Sequence, residues 1–273
     1  MRVGAALLEG SQLLEQARIA APRLTAEVLL AHALGRDRTF LYSHPEAELR
    51  EVEWIHYGRY LHERMQGKPT QYITGRQEFY GRTFRVTPAV LIPRPETEHL
   101  IEVAKELRAE RVVDVGCGSG AIAVTLCLET GARVWATDVS EPALAVAKQN
   151  AVSLGAEVVF VACDLAGALA DRSVDLVVSN PPYVPAGEMD GLQREVRDYE
   201  PRIALAGGPT GSEFYERLIA EAARVLRPGG RLALELGYNS AGRVVELLSS
   251  RFRDAQLTAD LAGIPRVVAC QLK

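Results

Sequence analysis

The sequence predicts an α/β protein with a small helical bundle in front of it. Three observations carry this. From Arg111 onward, short valine-rich apolar runs alternate with helical patterns, which implies a mostly parallel sheet covered on both faces. Two of these runs, 112–115 and 174–178, open into unusual turns: Gly116-Cys117-Gly118-Ser119-Gly120 and Asn180-Pro181-Pro182-Tyr183. The first seventy or so residues carry helical spacings and no β-rich segment to interrupt them.

In chain order, Leu7, Leu8, Leu13 and Leu14 are compatible with one apolar stripe on a first helix. A second helix is expected over 25–34, with Gly35 as the residue that ends it. A short helix from Asp37 and a longer one over 46–65 follow, the latter stopped by Gly67 and Pro69. Residues 71–95 change character. Segments 83–86 and 90–92 read as short strands paired in a hairpin, and Pro93-Arg94-Pro95 gives an extended lead into a helix near Glu96. Strands are then expected at 111–115, 133–137, 157–162, 174–179, 231–236, 255–259 and 266–271. Helices are expected at 120–129, 141–153, 213–226 and 240–250. The domain reading is 1–70 for the helical part, 71–95 for a linker with the hairpin, and 96–273 for the sheet domain.

Composition excludes several classes. At 273 residues the chain is long enough for two domains. No apolar run reaches the roughly 18–20 residues of a membrane span, and 3–8 before Glu9 is too short for a secretory signal, so a cytoplasmic protein is expected. The four cysteines, 117, 127, 163 and 270, show no Cys-x-x-Cys spacing, and the histidines are scattered. Neither a disulfide framework nor a metal site is expected. A formal net charge of −4 counts against gripping a nucleic-acid backbone, which calls for a basic excess.

Parallel sheets bind ligands beyond the carboxyl ends of their strands. The glycine turn, Asp138, Asp164 and Asn180 all fall at such ends. Glycines 116, 118 and 120 let the backbone approach a ligand without a Cβ in the way. Asp138, about twenty residues on, is placed to accept hydrogen bonds from ribose hydroxyls. With Ala121 the turn also fits Gly-x-Gly-x-x-Ala, so a dinucleotide site is a rival. Asp114 sits inside an apolar strand, where a carboxylate is costly unless paired; a cationic group of a cofactor, or loop amides, would satisfy it. Asp164 either faces an adenine amino group or caps a helix. Cys117 reads as a small loop filler rather than a nucleophile.

Asn-Pro-Pro-Tyr after a buried strand points to methyl transfer onto a planar amide or amine nitrogen. An amide lone pair is delocalised, so an enzyme must aim acceptors at its two N–H groups. The Asn180 side-chain oxygen and the Pro181 carbonyl are candidates, Pro181 and Pro182 keep them aimed, and Tyr183 offers a ring face to the flat substrate group.

Further runs extend the pattern: Pro69-Thr70-Gln71-Tyr72-Ile73-Thr74-Gly75, Glu78-Phe79-Tyr80-Gly81, Val90-Leu91-Ile92-Pro93-Arg94-Pro95-Glu96-Thr97-Glu98, Glu200-Pro201, Gly207-Gly208 and Asp260-Leu261-Ala262-Gly263. With the two turns, these make the chain resemble the release factor glutamine methyltransferases, the PrmC/HemK family of class I methyltransferases. The resemblance covers essentially the whole chain. It implies a Rossmann-like seven-stranded class I sheet and S-adenosyl-L-methionine as cofactor. The implied reaction is N5-methylation of the glutamine in the Gly-Gly-Gln motif of class 1 peptide chain release factors. By match, Gly116, Cys117, Gly118, Ser119 and Gly120 would line the methionine part, Asp138 the ribose, and Leu165 would lie near adenine where some members have Trp. Asn180 through Tyr183 would hold the glutamine. The helical domain would contact the release factor, and a monomer bound transiently to it is implied. Gly237-Tyr238-Asn239 departs from a Gly-x-x-Gln found in many members. The rivals are an adenine-N6 nucleic-acid methyltransferase, a dinucleotide-dependent oxidoreductase and a catalytically silent binding module.

Overall fold

A computed structural model describes residues 1–273. The chain forms two compact units, Met1–Arg76 with Gln193–Tyr199, and Gln77–Leu192 with Glu200–Lys273.

The first unit is built from helices Val3–Gln16 (α1), Pro22–Leu34 (α2), Arg38–Ser43 (α3), Glu51–Met65 (α4) and Thr70–Thr74 (α5), joined by the later helix Arg194–Tyr199 (α9, counting along the chain). Helix α1 buries Val3, Ala6, Leu7, Gly10 and Leu14, one stripe at helical spacing. Leu8 and Leu13 do not belong to it and stand 55% and 36% exposed. Neighbours on a helix point about 100° apart, so the two adjacent leucine pairs cannot share one narrow face. Gly10 lets α4 come close: a Cβ there would lie 1.9 Å from Tyr57 Oη. Helix α2 ends in left-handed Gly35 (φ 61°), and Asp37 caps α3 by accepting from Phe40 N–H at 2.9 Å. Helix α4 starts at Glu51, not at 46. Pro45 and Glu46 form a turn closed by Ala47 N–H to His44 O at 3.1 Å, and 47–49 run extended against the chain start, with Val3 N–H donating to Ala47 O and Leu49 N–H to Met1 O, both at 2.9 Å. Buried Glu27 braces the bundle by accepting from Tyr42 Oη at 2.6 Å, Arg38 at 2.7 Å and Arg23 at 2.9 Å. Burial alone would raise its pKa, but these three partners outweigh it and hold the carboxyl below its ordinary range.

The second unit is entered through a hairpin of Arg76–Phe79 (β1) and Arg82–Arg85 (β2). The expected pairing of 83–86 with 90–92 does not form. Tyr80 and Gly81 both take positive φ, 49° and 69°, the requirement of a tight two-residue hairpin loop, so the partner strand precedes the turn. Residues 90–92 stay irregular because Ile92 N–H is claimed by the buried carboxylate of Glu200 at 3.2 Å.

The 3-10 turn Pro95–Thr97 leads into Glu98–Glu106 (α6). There follow Arg111–Val115 (β3), Ala121–Thr130 (α7), Arg133–Asp138 (β4), Glu141–Leu154 (α8), Val158–Ala162 (β5) and Val174–Ser179 (β6). A short parallel pair, Val184–Pro185 (β7) and Ala206–Gly208 (β8), was not expected. Glu213–Val225 (α10), Leu226–Glu235 (β9), Ala241–Leu248 (α11), Phe252–Ala259 (β10) and Pro265–Leu272 (β11) complete the chain. Seven strands form one sheet in the order β10-β11-β9-β6-β3-β4-β5. β11 runs antiparallel to both neighbours, and the other pairings are parallel.

Helices cover both faces. On one, α10 buries Tyr215, Leu218, Ile219, Ala222 and Val225 against the sheet, each large side chain contributing about 1.5–3 kcal/mol. On the other, α7 and α8 pack Ile122, Val124, Leu126, Leu144 and Ala147 into a second core layer. The chain runs outward from β3 to β5, then returns to place β6 on the other side of β3. That reversal leaves a crevice between the carboxyl ends of β3 and β6, where the glycine turn and Asn180 both begin.

Candidate active site

Ser179 Oγ donates to Val115 O at 2.6 Å and ties the two strand ends together. From there the turn 116–120 lifts away. Gly116 and Cys117 N–H both donate to Thr137 O, at 2.8 and 2.9 Å. Gly116 and Gly118 hold φ of 75° and 54°, and a Cβ built on either would meet nothing within 4 Å. Their bare backbone faces an open cleft.

Asp138 stands at the end of β4 on the cleft wall. Its carboxylate accepts from Gly118 N–H at 2.9 Å and Ser140 N–H at 2.8 Å, so it ties the glycine turn to the start of α8. Asp164 and Leu165 also line the cleft. The Asp164 side chain is 63% exposed and paired with Arg217, and it caps no helix. Leu165 has φ of 50°; its carbonyl accepts from Thr137 Oγ1 at 2.6 Å. Val139 and Phe214 add apolar surface.

Asp114 lies beneath the turn, fully buried. One oxygen accepts from Ala123 N–H at 3.1 Å, while Oδ1 has no partner. Burial pushes its pKa up to about 8, which the nearby Asp138 charge reinforces. Cys117, Ser119 and Gly120 do not line the cleft. Cys117 is buried among the core residues of the sheet, and burial raises its thiol pKa well above the ordinary value, so it is no nucleophile. Ser119 O accepts from Asn150 Nδ2 at 2.8 Å. Gly120 starts α7 against Ala147, whose Cβ is 3.1 Å from where a Gly120 Cβ would be.

Asn180, Pro181 and Pro182 form the facing wall. Asn180 Nδ2 donates to Thr97 Oγ1 at 3.2 Å. Two loops close the sides, 89–91 and the stretch from Pro201 to Ala204, and Glu200 holds them together by accepting from Ile92 N–H and the Arg94 guanidinium. Tyr183 lies behind this wall and lines a neighbouring open hollow instead. Three glycines make room for it. A Cβ on Gly207 would come within 2.7 Å of Tyr183 Cα, on Gly211 within 2.5 Å of its carbonyl oxygen, and on Gly237 within 2.8 Å of the ring. Burial, and secondarily Glu235, push the Tyr183 phenol up to about 12. In the sequence, Thr97, Gly207 and Gly237 stand out only as parts of motifs, and Gly211 and Glu235 not at all. Spacing carries no signal for them, since each acts on a residue at least 24 positions away.

A cleft at the switch point of this sheet, with glycine backbone on one wall and Asn-Pro-Pro on the other, defines a class I methyltransferase. Family models described as PrmC N-terminal domain and methyltransferase small domain match residues 5–75 and 95–195. The chain belongs to the release factor glutamine methyltransferase family. It is 47% identical to the release factor glutamine methyltransferase of Koribacter versatilis, covering 93% of each chain. It is 45% identical to that of Nitratidesulfovibrio vulgaris, over 96% of this chain and 92% of the other. A methyltransferase from Pyrococcus furiosus shares the fold, with TM-score 0.55 at 20% identity over 71% of this chain and 90% of that one. No helix is long and apolar enough to cross a membrane.

Proposed function

We propose that this protein transfers a methyl group from S-adenosyl-L-methionine to the side-chain N5 of the glutamine in the Gly-Gly-Gln motif of class 1 peptide chain release factors. The observation that carries this is near full-length identity of 45–47% to relatives named for that activity, in a chain whose Asn-Pro-Pro wall faces the cleft that the glycine turn lines.

Bound S-adenosyl-L-methionine would supply an electrophilic methyl group on a cationic sulfur. The residues fit such a group. Bare backbone at Gly116 and Gly118 accepts close approach, and Val139, Leu165 and Phe214 offer apolar walls to a flat base. Asp138 retains lone pairs for ribose hydroxyls beyond the two amides it serves. Leu165 replaces stacking with simple apolar contact, and the Arg217-paired Asp164 sits at the rim rather than against a base.

On the acceptor side, Asn180 Oδ1 and the Pro181 carbonyl would each take one N–H of the glutamine amide, turning its lone pair toward the methyl group. No strong base is needed, because the proton leaves once the nitrogen is cationic. Tyr183 would support the loop from behind rather than stack on the substrate. The helical unit would hold the body of the release factor, a transient partner of a monomeric, cytoplasmic enzyme.

The test is radiolabelled methyl transfer with a release factor, its Gly-Gly-Gln→Gly-Gly-Ala variant, DNA and RNA offered in parallel. Label that vanishes with the glutamine supports the proposal. Labelled nucleic acid with an unlabelled release factor would overturn it in favour of an adenine-N6 enzyme, which the named relatives do not favour.

A further inference from the structure

The bare large apolar side chains of the second unit are unevenly placed. The five most exposed are Leu261, Val152, Tyr238, Ile203 and Val139. All but Val152 stand at the carboxyl pole of the sheet, where the candidate site lies. Val139 follows β4, Ile203 lines the cleft, Tyr238 follows β9, and Leu261 sits in the turn from β10 into β11. Val139 and Ile203 wall the cofactor cleft. Tyr238 and Leu261 do not, and no cofactor role needs them, yet they are 67% and 105% exposed.

A bare leucine on a loose loop tip is ordinary. This turn is not loose. Asp260 Oδ1 accepts from Ala262 N–H at 2.9 Å and Ile264 N–H at 3.0 Å, and Oδ2 accepts from Arg266 Nε at 2.8 Å. Across the turn, Asp260 N–H donates to Ile264 O and Gly263 N–H to Asp260 O, both at 2.9 Å. Gly263 supplies the left-handed residue, with φ of 78°. Leu261 is thus held out of every core cluster by bonds on both sides of it. A partner can bury a side chain held this way with little further ordering cost.

In the sheet, β9 neighbours β6, and β11 lies beyond β9. With strands about 4.8 Å apart, the entry to β11 is displaced by about 10 Å from the strand end that carries Asn180. A glutamine side chain seated at Asn180 does not span that distance, but the body of the molecule carrying it does. Arg266, the cation of this turn, is taken by Asp260, so the surface offers apolar contact rather than neutralisation of phosphates.

We infer that Tyr238 and Leu261 form an apolar docking surface for the protein substrate, meeting an apolar patch beside its Gly-Gly-Gln loop, with Asp260 the positioning residue that holds Leu261 out. The inference rests on the glutamine-methylation reading and deepens it.

The experiment is steady-state methyl transfer by the full-length chain to a full-length class 1 release factor, with S-adenosyl-L-methionine saturating. Leu261→Asp and Tyr238→Ala each raise KM for the release factor roughly 10-fold, with kcat and cofactor Kd kept. Asp260→Ala raises KM roughly 3–10-fold, and Asp260→Asn, which keeps the acceptor for the two turn amides, restores it. Val152→Asp is the control. Val152 is equally bare but lies near the far end of α8, which runs from β4 toward the amino pole, and its KM stays at the wild-type value. Wild-type KM in both Leu261→Asp and Tyr238→Ala would overturn the docking surface. So would a loss that falls on kcat instead of KM, or an equal rise in Val152→Asp. A wild type that labels no release factor would instead remove the glutamine-methylation reading, and the docking surface with it.

Discussion

Replacing Gly237 with alanine adds one methyl group directly behind the Asn-Pro-Pro-Tyr loop. The new Cβ would lie 2.8 Å from Tyr183 Cδ2 and 3.1 Å from Cγ. An ordinary contact begins at 3.4 Å, so ring or backbone must move by 3.4 − 2.8 = 0.6 Å. Gly237 does not sit at positive φ, so alanine brings no backbone strain and the whole effect is this collision. Tyr183 cannot simply retreat, because its backbone is already packed against Gly207 and Gly211. Overpacking of this kind costs about 1–3 kcal/mol. Displacement of the loop also misaims the Pro181 and Asn180 acceptors, and a misplacement of about 1 Å can cost 10²-fold in rate. The expected result is a kcat reduced roughly 10–100-fold and a lower Tm, with cofactor affinity kept, since the glycine turn is untouched. Gly242→Ala is the control: it lies inside α11 with nothing within 4 Å of its Cβ, and should stabilise by about 0.5–1 kcal/mol. A Gly237→Ala enzyme with wild-type kcat and Tm would refute the packing argument.

Asn180→Ala should abolish transfer while sparing cofactor binding, and strong residual turnover would refute the acceptor role; Asp138→Ala should instead weaken cofactor binding, as calorimetry would show. Gly10→Ala puts a methyl group 1.9 Å from Tyr57 Oη and should destabilise the helical unit by about 1–3 kcal/mol or more; unchanged unfolding would show that the helices shift freely. Asp114 makes stability fall with pH. Its folded pKa of about 8 exceeds the unfolded value of 3.8, so the native state holds the extra proton. Its contribution is full below about 3.8 and is lost as pH rises toward 8, with a slope on the order of 1.4 kcal/mol per pH unit at most. Urea unfolding between those limits should show a flatter profile for Asp114→Asn, and parallel profiles would refute this.

Sheet and site were legible where the signal is local. Valine runs of strand length, glycine turns at their ends and a proline-stiffened Asn each state a backbone requirement within a few residues. The errors arose where a distant partner decides the conformation. Residues 46–49 look helical by themselves, but a turn at Pro45–Glu46 and pairing with the chain start, through Ala47 O and Leu49 N–H, claim their backbone groups and delay α4. Residues 90–92 look like a strand, but a carboxylate 108 positions away claims Ile92 N–H.

The sequence alone determined the seven strands of the large sheet and the helices between them, the glycine turn, Asp138 and the Asn-Pro-Pro run, because short-range sterics and periodicity dictate them. Tertiary structure decided which atoms of the site can move and which way they face. Tyr183 is packed tightly because Gly207, Gly211 and Gly237 leave no room for a Cβ beside it. Asn180 is held by Thr97, 83 positions away, whose Oγ1 accepts from Asn180 Nδ2. Both depend on contacts across the sheet, where close packing and the count of donors and acceptors leave one arrangement satisfied.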